Sequence, residues 1–134
     1  MAVIDASVYI SLVNAHEMAH ASSWTWFVDT QTSDERIVAP VIMLAEVASA
    51  LSRGVGDPEL ANKAVQQLRE SSLIELVPVT RNLAEFAATI AAEHRIRGCD
   101  AVYVAVAAQL DDVLVTLDRQ QLKRAASIIR VRKP

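Results

Sequence analysis

Apolar and polar positions along this chain fall into two alternating regimes. Short, nearly continuous apolar runs are separated by longer stretches in which apolar residues return at helical spacing. The short runs are Ala2 to Ile4, Arg36 to Ala39, Ile74 to Val79, Val113 to Thr116 and Ile128 to Val131, and each is expected to form a buried strand. Helices are expected from Ser7 to Val13, over residues 16–30, from Val41 to Ser52, from Asp57 to Glu70, from Thr80 to Arg95, from Asp100 to Leu110 and from Arg119 to Ala126. Pro40 ends one strand and suits the opening of the next helix, Gly54 and Gly56 stop that helix, and Asp57-Pro58-Glu59 starts another. Pro78 marks the third strand as an edge or an early end, because it has no N–H for the ladder. Strands that are apolar on both faces and alternate with helices specify an α/β fold. The expectation is a single domain over residues 1–134, a central parallel sheet of about five strands with helices on both faces.

The helical stretches also predict which faces are buried. In the second helix His20, Trp24, Phe27 and Val28 form the expected core stripe. Trp26 falls off that stripe, with Ser22, Ser23, Asp29 and Thr30 about one turn away, and is expected at a partner contact. The long fifth helix should face the core with Leu83, Phe86, Ala87, Ile90 and Ala91. Cys99 is expected to be a small core residue.

Composition narrows the class. A chain of 134 residues that is 52% hydrophobic is long enough for one sizeable core. Its formal charge of −3 gives no global positive field. Arg119, Lys123, Arg124, Arg130, Arg132 and Lys133 crowd the carboxyl end and read as a solvated surface. One cysteine excludes an intramolecular disulfide and fits a reducing cytosol. No apolar run reaches membrane-helix length and the amino end lacks a basic leader region, so a cytoplasmic protein without membrane attachment is expected.

Candidate chemistry lies where charge interrupts apolar sequence. Asp5 leaves the end of the first strand and Asp118 leaves the end of the fourth. Glu46 lies in the apolar stretch VIMLAEVASAL, and Asp100 opens the run AVYVAVAA. Each Asp could simply cap a helix, and Glu46 could reach solvent from the edge of its stripe. Ligands of open α/β sheets, however, bind outside the carboxyl ends of the strands, where all four acids could meet. Two like charges about 4 Å apart cost roughly 4 kcal/mol at an effective dielectric of about 20. A hard divalent cation, Mg²⁺ or Mn²⁺, relieves that repulsion through oxygen ligands. Ser7 and Thr116 are candidate donors that orient the acids from behind. Arg97 and Arg119 are near two of the acids in sequence, without indication of where they point.

VIDASV, the lone Glu in LAEVASAL, GCDAVYVAVA and LVTLDRQ resemble the acidic motifs of PIN domains, especially the single-domain VapC-type toxins. The resemblance covers nearly the whole chain in the right order. It implies a parallel sheet with helices on both faces and metal-dependent cleavage of RNA phosphodiesters, leaving a 5′-phosphate and a 3′-hydroxyl. It implies Asp5, Glu46, Asp100 and Asp118 as the metal-binding, catalytic acids. It further implies an antitoxin partner that blocks the acidic crevice, and a homodimer.

Two other readings compete. His16-Glu17-Met18-Ala19-His20 matches H-E-x-x-H, which on a helix would place two His on one face for Zn²⁺ with Glu17 as the base of a metalloprotease. The extended metzincin form fails, since Ser23 and Trp26 stand where a glycine and a histidine are needed. The other alternative is a non-catalytic or RNA-processing module of the same shape, with acids that hold a structural cation or a basic partner segment.

Overall fold

The computed structural model describes residues 1–134. Its elements in chain order are β1 (Ala2–Ile4), α1 (Ala6–Val13), α2 (His20–Thr32), β2 (Ile37–Pro40) and α3 (Met43–Ser49). A π-helical segment, Ala50–Val55, continues α3. Then come α4 (Pro58–Glu70), β3 (Ile74–Val77), α5 (Arg81–His94), α6 (Gly98–Leu110), β4 (Val113–Val115), α7 (Arg119–Arg124) and β5 (Val131–Arg132). The five strands form one parallel sheet in the order β3-β2-β1-β4-β5. It is an α/β fold with helices on both faces of the sheet, as expected.

β1 is the central strand, and all three of its residues are fully buried. The chain leaves β1 in one direction to build β2 and β3, then returns to its other side for β4 and β5. The strand order therefore reverses between β1 and β4. A crevice opens at the carboxyl end of such a switch point, because the connections on either side depart to opposite faces. α6 packs across β1, β2 and β4 and against α5. Being covered on most sides, it is apolar nearly all round, with Ala101, Tyr103, Val104, Ala105 and Ala107 fully buried.

Local chemistry sets the element ends. Asp57 accepts from Leu60 N at 2.9 Å and Thr80 from Leu83 N at 3.2 Å, the two caps expected for α4 and α5. β3 lies at the sheet edge and stops before Pro78, two residues short of the expected end. The helix expected to run to Ser52 is regular only to Ser49; the wider π turn then carries it to Val55, and Gly56, at φ +78°, terminates it in a left-handed conformation.

Several expectations are corrected. On α5 Phe86, expected on the core face, is exposed, while Leu83, Ala87 and Ile90 are buried. The second helix begins at His20, since residues 15–19 form turns, and its phase is inverted. Trp26 is 7% exposed and belongs to the core, whereas Trp24 is 52% exposed and Val28 also faces outward. Trp26 is thus not the surface partner contact that its polar neighbours suggested. Two of those neighbours are satisfied inside, while Ser22 and Asp29 face solvent: Ser11 Oγ donates to Ser23 Oγ at 2.6 Å, and Thr30 Oγ1 to Trp26 O at 2.8 Å. Paired hydroxyls let a polar face pack inward at little cost. Cys99 is exposed instead of buried. The last strand is Val131–Arg132, because Ala125–Ser127 forms a 3₁₀ turn and Ile128 stays in the helical region.

Candidate active site

Asp5 stands where β1 ends and α1 begins. It is 3% exposed and its two oxygens are both engaged. Oδ1 accepts from Ser7 Oγ at 2.5 Å and from Val8 N at 3.3 Å, so Asp5 does cap α1. Oδ2 accepts from Thr116 Oγ1, at the end of β4, and from Gln121 Nε2 at 2.8 Å. Ser7 Oγ also accepts from Leu117 N at 3.0 Å, and Thr116 Oγ1 from Asp118 N at 2.9 Å. These bonds lock the exits of β1 and β4 together. Burial pushes the Asp5 carboxyl above the ordinary carboxylate range; the Ser7, Thr116 and Val8 hydrogen bonds offset part of that, and Asp100 adds to the rise.

The other acids arrive on separate elements. Glu46 is half-buried in the first turn of α3, where Tyr103 Oη donates to its Oε2. Burial raises Glu46 too, the Tyr103 bond works against the rise, and Asp100 adds to it. Asp100, 8% exposed, lies in the first turn of α6 and does not cap it. Asp118 caps α7, its Oδ1 accepting from Gln120 N at 2.7 Å and Gln121 N at 3.1 Å. All four acids line one cleft of about 180 Å³, with Ser7, Arg97, Tyr103 and Gln121 among its other walls. A larger open groove of about 690 Å³ lies at the other end of the sheet, where Asp112 and Arg130 precede β4 and β5. It is at the amino ends of the strands and carries no comparable constellation.

Three wall residues were not singled out as site residues by sequence. Gln121 is 2% exposed, and its amide donates to both Asp5 Oδ2 and, at 3.3 Å, Asp100 Oδ1. Its own Oε1 is buried without a partner. Nothing in the sequence separates Gln121 from the exposed Gln120 beside it. Tyr103 did carry a signal: a hydroxyl in an apolar helix, one turn beyond Asp100, needs a polar partner. Arg97 Nε donates to Asp100 Oδ2 at 2.7 Å, and its Nη2 to Asp118 Oδ2 at 3.5 Å. Arg119 is exposed and not part of the cleft.

Residues 2–127 match the PIN domain family. The chain belongs to that family. No curated protein matches it significantly in sequence. The fold of this PIN domain is similar to that of VapC20 from Mycobacterium tuberculosis, a toxin that cleaves the sarcin–ricin loop. The two share 21% identity and a TM-score of 0.79 over the full length of both chains. VapBC2 of Rickettsia felis, solved on a fragment of its promoter DNA, is 14% identical with a TM-score of 0.74, covering 98% of this chain and 97% of that one. PAE2754 from Pyrobaculum aerophilum is 22% identical with a TM-score of 0.67, covering 96% of this chain and 89% of that one. At these identities the likeness is one of fold.

The donor set of this PIN domain is all oxygen, from carboxylates and hydroxyls, and suits a hard divalent cation. No three His, Cys, Asp or Glu side chains converge into a ready-made metal cage. Protein donors and the Arg97 guanidinium hold the carboxylates along the cleft walls instead. The zinc-protease alternative fails on geometry. His16 and Glu17 lie in exposed turns, His20 opens α2 with Nδ1 2.7 Å from Ser11 O, and the two His share no helical face.

Proposed function

We propose that this PIN domain is a Mg²⁺- or Mn²⁺-dependent endoribonuclease, the toxin of a toxin–antitoxin pair. One observation carries the reading: four carboxylates from four separate elements line one cleft at the switch point of a PIN-family sheet. Asp5, Glu46, Asp100 and Asp118 would hold the cation. The chemistry such an ion supplies when bound is Lewis acidity toward a phosphoryl oxygen and an attacking water. The chain's own residues do the rest. Ser7, Thr116 and Gln121 fix both oxygens of Asp5, and Tyr103 fixes Glu46, so the carboxylates need little reorganisation. Water oxygen joins phosphorus as the bond to the 3′ oxygen breaks; that oxygen takes up a proton, leaving a 3′-hydroxyl and a 5′-phosphate. No side-chain nucleophile is required. Cys99 does not offer one, since partial desolvation of its exposed thiol, with Glu46 and Asp100 nearby, holds it above the ordinary range.

The similar folds of VapC20 and of the VapBC complexes support a toxin role and an antitoxin partner. That partner would block the acidic cleft. A homodimer in the cytoplasm completes the reading. No helix is long and apolar enough to cross a membrane. The test is incubation of the purified chain with ribosomal RNA. Cleavage is expected with Mg²⁺ or Mn²⁺, little with Zn²⁺ alone, and none in EDTA; cleavage that survives exhaustive chelation would refute the mechanism.

A further inference from the structure

Arg97 occupies a particular share of the acidic cleft. Asp100 gives Oδ1 to the Gln121 amide, and Asp118 gives Oδ1 to the backbone N–H groups that it caps. Each keeps one oxygen beyond those neutral donors, and Arg97 takes both: Oδ2 of Asp100 through Nε and Oδ2 of Asp118 through Nη2. One planar guanidinium thus bridges two acids on different elements, a geometry that its fixed fork allows and a lysine ammonium would not reproduce. Arg97 is positioned by backbone. α5 ends on Arg95 at φ +55°, and Arg97 is the residue from which α6 departs. The Arg97 side chain is nevertheless 74% exposed, so it can leave without unmaking any core.

We infer that Arg97 is the cleft's resident cation, which balances Asp100 and Asp118 until a divalent ion displaces it and so sets the ion concentration at which the cleft loads. This rests on the proposed metal-dependent reading of the same site. The two Oδ2 atoms cannot serve Arg97 and a cation fully at once. Gln121 is neutral and buried, and it holds Asp5 and Asp100 in place before and after the exchange. Arg97 is therefore a positioning residue that acts through Asp100 and Asp118.

The test is the melting temperature of the purified chain against Mg²⁺ concentration at constant ionic strength, for wild type, Arg97→Gln and Arg97→Lys. Removal of a surface-exposed ion-pair competitor corresponds to a Mg²⁺ midpoint about fivefold lower in Arg97→Gln. The same variant should melt lower than wild type in EDTA, and its Mg²⁺-induced rise should be larger. Arg97→Lys keeps the charge without the fork and should fall between the two. A purely structural Arg97 would lower every melting temperature and leave the midpoint alone. Equal non-zero midpoints in wild type and Arg97→Gln would overturn the exchange and leave the metal reading standing. No response to Mg²⁺ or Mn²⁺ in any of the three would overturn the metal reading itself, and the exchange with it.

Discussion

Asp5 and Glu46 are carboxyls in surroundings that disfavour their charge, and this has a consequence for stability. Both have folded-state pKa values above the ordinary range, with burial as the main cause. A raised folded pKa means that the folded state holds the proton more tightly than the unfolded chain does. The associated stabilisation is fully present below the unfolded pKa of about 4, and is lost as pH rises through the folded value. In EDTA, then, wild type should lose stability relative to Asp5→Asn as pH rises from 4 to 8. Urea unfolding of the two proteins at a series of pH values measures that difference, and a difference constant across the range would place Asp5 in surroundings that do not strain its charge. Added Mg²⁺ should restore wild type at neutral pH by mass action and act far less on the variant. At this scale the sequence was informative about acids and poor about their partners. A lone acid in apolar company stands out in a linear pattern. Gln121 and Arg97 do not, because their importance comes from bonds to Asp5, Asp100 and Asp118, made across the fold.

Among the elements, α2 shows how periodicity misleads. Trp24 and Val28 lie at helical spacing and face out, while Ser23, Trp26 and Thr30 lie at the same spacing and face in. Hydrophobicity alone ranks the two faces wrongly, because Ser23 and Thr30 are paired internally and cost little to bury. Trp26→Ala should therefore cost about 3–5 kcal/mol of folding stability, as for other buried aromatics. Trp24→Ala should change it by only about 0.5 kcal/mol. Chemical denaturation of both variants decides the phase of α2; the reverse ranking would restore the original stripe. Other elements were legible because their signals are local. Asp57 and Thr80 announce α4 and α5, and Pro78 announces the end of an edge strand. The π turn after Ser49 and the late start of β5 depend on packing and carry no such mark.

For the whole molecule, the pattern of strands and helices conveyed a parallel sheet but not the order of its strands. That order matters most, since only with β1 beside β4 do Asp5 and Thr116 meet and the cleft open between them. The acids that line it come from the ends of β1 and β4 and the first turns of α3 and α6, so no short segment of chain contains the site. If these four carboxylates are one cation-dependent centre, they should fail together. The most direct measurement is the rate of RNA cleavage at saturating Mg²⁺ by wild type, Asp5→Asn, Glu46→Gln, Asp100→Asn and Asp118→Asn, each first shown to be folded. Losses of at least about a hundredfold are expected for Asp5→Asn and Asp100→Asn, with clear losses for the other two. Folded Asp5→Asn and Asp100→Asn proteins that cleave at the wild-type rate would contradict the account.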